Sequence, residues 1–202
     1  MSEPLEFYQQ EKIRFEQERG LLRKKINLYS VLRLGFFLLA FPAVYYAFQN
    51  KPLLAGIILS IIVGFIFLVL KYQSLVNERK LCEQLIKINE VEIDALNRKY
   101  SSLPEGSEFI DAKHYYSNDI DLFGKGSFFQ YMNRAATVSG RNALAELLLE
   151  NNPFQIASRQ EVIIELSKKV SWRQRFLALA KMVSVDVDHK TIISWIHSYK
   201  SF

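Results

Sequence analysis

Gly124-Lys125-Gly126-Ser127 has the composition of a loop that could cradle a phosphate. A phosphate loop needs a glycine five positions before its Gly-Lys pair and a Ser or Thr directly after the lysine. Only then do successive backbone N–H groups surround the anion while a hydroxyl reaches the metal. Here position 119 is Asp and position 126 is Gly. The pattern is absent, and the segment reads instead as the start of a helix. His114, Asp119 and Asp121 could be drawn as a metal cluster, but three scattered ligands beside tyrosines make a weak donor set. Asp186-Val187-Asp188-His189 reads as a helix cap with its carboxylates at the favourable end of the dipole. His189 and His197 are eight apart, with no acid or Cys to complete a site. The lone cysteine, Cys82, has no partner for a disulfide or a thiolate zinc site and sits at a helical core spacing. No catalytic, cofactor-binding or metal-ligating residue is assigned, and no self-sufficient enzyme is expected in these residues.

The elements that position everything else begin with residues 34–70. Two apolar runs flank a polar tip, Gln49-Asn50-Lys51-Pro52. The second run, residues 52–70, has nineteen residues without a charge. As a helix it measures about 28 Å, close to the hydrocarbon thickness of a bilayer. The first run, residues 34–50, has seventeen and gains reach if Arg33 snorkels to the headgroups. The stretch predicts a transmembrane helical hairpin, with Pro42 a candidate kink in its first span. No secretory signal precedes it, so the hairpin is expected to persist in the mature protein. Arg23, Lys24, Lys25 and Arg33 gather before the hairpin and Lys71, Arg79 and Lys80 follow it, against one lysine at the tip. By the positive-inside rule both termini are cytoplasmic and the location is the cell (inner) membrane. Gly56, Ser60 and Gly64 form a row of small residues that would let the spans pack closely, or let two copies form a homodimer.

The flanking arms are charged. Residues 1–33 predict an amphipathic helix, with Tyr8, Phe15, Leu22 and Tyr29 seven apart along one seam. Residues 71–100 predict a stalk helix with Cys82, Ile86, Asn89, Ile93, Leu96 and Tyr100 in a coiled-coil-like rhythm, Asn89 at a position that can set register. The two seams are expected to pack antiparallel. Residues 101–113 read as a linker. Residues 114–202 predict a helical domain: a helix at 128–134, one capped by Thr137 or Ser139 to about Glu150, and one opened by Asn152-Pro153 to about Lys168. A fourth runs from Ser171 to about Met182, and a fifth is capped by Asp186 or Asp188. The fold class is all-α. Of 26 basic and 21 acidic residues none concentrate on one stretch of the last hundred residues, so charge alone indicates no nucleic-acid face.

A family enters through the order of residues in 114–166. Asp121-Leu122, Gly126-Ser127, Asn133-Arg134, Thr137, Gly140-Arg141, Pro153, and Ile156 with Arg159-Gln160 follow one another as in the core, or lever, region of MutS-family DNA mismatch-repair ATPases, which this stretch resembles. Phe128 stands where that family usually has Leu, and Ala135 where Thr is usual. The resemblance implies an incomplete core/lever domain, duplex DNA as a partner, and ATP and Mg as cofactors of a longer parent, with no cofactor in these residues. The family's mismatch-reading wedge has no counterpart; the hairpin and stalk occupy its place. Arg134, Arg141 and Arg159 are expected to satisfy helix-end carbonyls or pair with Asp119, Asp121 or Glu146, and Gly140 to allow a close turn between helices. Two functions follow: a membrane-tethered, non-catalytic portion of a MutS-like ATP-dependent DNA-binding protein, or a non-enzymatic membrane scaffold built on hairpin and stalk.

Overall fold

The computed structural model describes residues 3–49, 51–150, 153–183, 193–195 and 198. Six helices carry the chain: α1 (Glu3–Ala47), α2 (Lys51–Leu96), α3 (Phe128–Met132), α4 (Val138–Leu149), α5 (Ile156–Ser167) and α6 (Val170–Val183), with 3-10 turns at Ser107–Phe109 and Pro153–Gln155. There is no strand among the described residues, and the fold is all-α. The chain divides into two compact units, residues 11–86 and residues 1–10 with 87–202.

Each apolar run is fused to its charged arm in one unbroken helix. Glu3 and Glu6 place carboxylates in the first turn of α1, and the helix continues through Pro42. A proline removes one ladder bond and crowds the preceding turn, a local defect that the helix absorbs without ending. α2 opens at Lys51-Pro52, where the missing N–H has no ladder partner to lose. Both helices are long and apolar enough to cross a membrane, and in each the most apolar 18-residue window has no buried residue.

Within residues 11–86 the two helices run antiparallel, contacts falling symmetrically about the turn. The Arg33 guanidinium lies over the Tyr72 ring at 5.0 Å, and Phe36 packs on Gly64. A Cβ on Gly64 would stand 2.8 Å from Phe36 Cζ. Phe15, Leu22 and Ile26 are buried on α1, and Cys82, Leu85 and Ile86 on α2. Of the expected seam residues, Phe15, Leu22, Cys82 and Ile86 are buried in this unit. The small-residue row divides: Gly64 faces Phe36, while Gly56 has open space around it and Ser60 is exposed, its hydroxyl donating to the Gly56 carbonyl at 2.9 Å. Rows at i, i+4, i+8 drift about 40° per step around a helix of 3.6 residues per turn, which carries Gly56 out of the seam.

In the second unit the stalk helix ends at Leu96, short of the predicted 100. The Lys99 N–H donates to the Asp94 carbonyl (2.7 Å) and the Arg98 N–H to the Ala95 carbonyl (3.0 Å), with Arg98 at φ 61. This is the paired bonding of a Schellman termination, in which Arg occupies the left-handed position usually given to Gly. Tyr100 consequently leaves the seam and meets Tyr131 edge-on.

Residues 101–113, expected as a linker, are mostly exposed but are anchored at Leu103, Gly106 and Phe109. Gly106 (φ 71) lies so close to Phe129 that a Cβ there would come within 2.5 Å of the ring. Phe109, Phe123 and Phe129 contact one another with centroids 5.3 to 5.6 Å apart. They join Leu122 and Ala145 in the core, with Tyr116 and Leu148 against them. Gln130, fully buried, ties this loop down: its Nε2 donates to Leu103 O (2.6 Å) and Ser101 O (3.3 Å). α5 has no buried residue; of the expected fifth helix only residues 193–195 and 198 are described, and these are helical.

Candidate functional site

The phosphate-loop-like segment is used up in starting a helix. Gly124 and Gly126 adopt φ 102 and 79, values that favour glycine. Ser127 caps α3 by accepting from Gln130 N–H, and Gln130 Oε1 accepts from Gly126 N–H at 2.8 Å. These donors and the hydroxyl are already satisfied, and α3 has only five residues. The segment does not fit a nucleotide phosphate, and no ATP step is assigned to it.

His114, Asp119 and Asp121 are not gathered into a ligand set. His114 stacks on Tyr115, and its Nδ1 accepts from Ser117 N–H at 3.3 Å, while both aspartates are exposed. No group of three or more His, Cys, Asp or Glu among the described residues is arranged to hold a metal ion. Asp186, Asp188, His189 and His197 lie outside those residues. Burial, and then Glu18, Glu78 and Glu83, push the Cys82 thiol up to about 11. A thiol so held is protonated and unreactive at neutral pH.

The most developed site is a cavity of about 360 Å³ in the second unit, where the connector between α3 and α4 meets α2 and α6. The connector is built from local polar bonds. Asn133 ends α3 and its side-chain oxygen accepts from Ala135 N–H at 3.0 Å. Thr137 caps α4 by accepting from Gly140 N–H at 3.1 Å. A Cβ on Gly140 would stand 3.2 Å from the Thr137 hydroxyl and 3.3 Å from Ala135 Cβ. Gly140 thus tightens the first turn of α4, a different place from the expected turn between helices.

Arg134 forms one wall. Its guanidinium grips Glu92 with both arms, Nε to Oε1 at 2.8 Å and Nη2 to Oε2 at 3.3 Å, and also donates to the carbonyls of Tyr131 and Asn133. The expected carbonyl role is met, while the acidic partner is Glu92 on α2 instead of Asp119, Asp121 or Glu146. Arg159 donates to Gln155 (2.7 Å) and contacts Glu150 (3.5 Å). Near the cavity, fully buried Asn89 accepts from Gln174 Nε2 at 2.9 Å. Asn89 therefore fastens α2 to α6. Burial, then Glu92, raises the Tyr8 hydroxyl, with Arg173 and Arg134 opposing. Burial depresses Lys181, with Arg134 acting the same way and Glu92 opposing.

Most of the wall is apolar, including Ile88, Val170, Phe176 and Leu177. Thr137 is occupied as a cap, and the polar lining includes the Arg134–Glu92 pair, Tyr8, Arg173 and Gln174. Glu92, Arg173 and Gln174 were not picked out from sequence. The only signal was that Gln174 shares a helical stripe with Val170 and Leu177, which places it facing the core. No family model, no curated protein and no solved structure matches this chain.

Proposed function

We propose that this chain is the membrane-tethered portion of a MutS-like ATP-dependent DNA-binding protein, supplying an anchor and part of the lever that links nucleotide state to DNA clamping. The observation that carries the reading is that the resembling residues form one mechanical unit. Gly126 and Ser127 start α3, Asn133 ends it, Arg134 binds α2 through Glu92, and Thr137 with Gly140 starts α4. Residues that cap, turn and brace are those a lever needs to pass force between helices. ATP and Mg chemistry is assigned to chain outside these residues. The apolar windows of α1 and α2 sit in the bilayer of the cell (inner) membrane, with both termini cytoplasmic, because the cations flank the hairpin on that side.

Duplex DNA titrated onto the full chain in detergent or nanodiscs tests the DNA reading. Binding should weaken steeply and log-linearly with salt, because phosphate contacts release counterions. Absence of binding at low salt removes DNA contact from this part of the protein. It would favour a membrane scaffold, for which the exposed apolar faces of α5 and α6 (Ile163 at 65 % and Phe176 at 63 % exposure) supply an interaction surface. Anchoring is tested separately: the chain should resist carbonate extraction, and an external protease should not cut near Lys80.

A further inference from the structure

From Arg19 to Asn77 the chain contains no Asp or Glu, while it carries Arg19, Arg23, Lys24, Lys25, Arg33, Lys51 and Lys71. A cation at the edge of an apolar band needs an anion or water, and here neighbouring sequence offers no carboxylate. Arg33 directly precedes the first run. Its guanidinium stacks on Tyr72, which brings Lys71, the residue after the second run, to the same level. Beside it lies a groove of about 400 Å³ between α1 and α2, within residues 11–86. One end carries the polar groups, Ser30 and Arg33 with Val31 beside them; the other is wholly apolar, formed by Leu34, Phe37 and Phe65. Polarity therefore changes along the groove in the same direction as it changes across the headgroup boundary of a bilayer.

We propose that this groove holds one anionic phospholipid, its phosphate on Arg33 and an acyl chain along Phe37 and Phe65. The proposal rests on the reading that α1 and α2 cross a bilayer. A guanidinium held over an aromatic ring can still offer its edge donors to phosphate oxygens. Lys71, Lys25, Lys24 and Arg23 lie within about 17 Å of the apolar band along their helices, roughly two Debye lengths at most, and add attraction to an anionic leaflet. Glycerol phosphate or a nucleic-acid phosphate shares the headgroup chemistry but has nothing to fill the apolar end.

The test is native mass spectrometry of the full chain released from nanodiscs of phosphatidylcholine with a minority of phosphatidylglycerol. One phosphatidylglycerol should be retained in preference to phosphatidylcholine. Arg33→Gln should lower that retention about fivefold, the loss of one membrane-proximal cation. Leu34→Trp, which fills the apolar end and leaves Arg33 in place, should lower it too, and Lys24→Gln should change it little. Equal retention of both lipids by an inserted protein overturns the site and leaves the membrane reading standing. So does a preference that survives Arg33→Gln but falls with Lys24→Gln, which would mark a diffuse field. Full displacement by glycerol phosphate or by duplex DNA overturns the lipid assignment in favour of a bare phosphate site. Failure of the chain to enter nanodiscs overturns the membrane reading and the lipid site together.

Discussion

Arg134 joins α3, α2 and two carbonyls through a single side chain, so its removal should cost more than removal of its partner. Glu92→Ala should destabilise the helical unit by about 1–3 kcal/mol and Arg134→Ala by more, because the truncated arginine also abandons the Tyr131 and Asn133 carbonyls. Denaturant unfolding of both single variants and the double variant measures this. A cycle with no coupling would mean that the pair contributes nothing. Gly106→Ala combines a left-handed backbone with a Cβ inside van der Waals contact of Phe129, and should cost about 2–4 kcal/mol. Arg98→Gly acts in the opposite direction, relieving a left-handed side chain for a gain of about 1 kcal/mol. The Cys82 thiol supplies a pH test. Its folded value is raised from 9.0 to about 11, so its contribution to stability is complete below pH 9 and is lost as pH rises towards 11. A thiol reagent at pH 8 should therefore react with Cys82 far more slowly in the folded protein than after unfolding. At this scale the sequence marked where helices begin: residues 124–127 read as a helix opening, and Thr137 or Ser139 as a cap, because a cap bonds only to its own next turn; the structure selects Ser127 and Thr137. Arg98 was not, because nothing in its side chain announces a left-handed backbone.

The helices divide by how their boundaries are encoded. α1 and α2 were legible as long apolar and charged helices, since length and periodicity are properties of the segment itself. Their close approach at Gly64 is a property of the pair. Gly64→Leu should force Phe36 aside and lower the thermal stability of the chain in detergent micelles, while Gly56→Leu, with open space around it, should leave that stability unchanged. Equal effects at the two positions would remove Gly64 from the seam. The stretch 101–113 shows the limit of composition as a guide. Ser, Pro and Gly signalled a break in helical structure, and the break is there, yet Gly106 and Phe109 sit against the aromatic core. Turn residues report backbone conformation, and burial depends on what the rest of the chain brings alongside.

For the molecule as a whole, a cysteine placed at Lys51 should be labelled by a membrane-impermeant thiol reagent from outside intact cells, and one placed at Lys80 only after permeabilisation. Labelling in the reverse order would invert the proposed topology. What the sequence determined by itself was local: an all-α chain, two helices long and apolar enough to cross a membrane, and helix starts around α3 and α4. Each depends on residues within a turn or two of one another. Only the tertiary structure decided that Arg134 meets Glu92 across 42 residues and that Gln174 meets Asn89 across 85. It also anchored the expected linker against a core through Gly106 and Phe109 and opened a groove beside Arg33. The physical reason is that a side chain's hydrogen-bonding capacity is written in its type, whereas its partner depends on where the chain returns. Many returns satisfy one hydrophobic pattern, and packing selects among them.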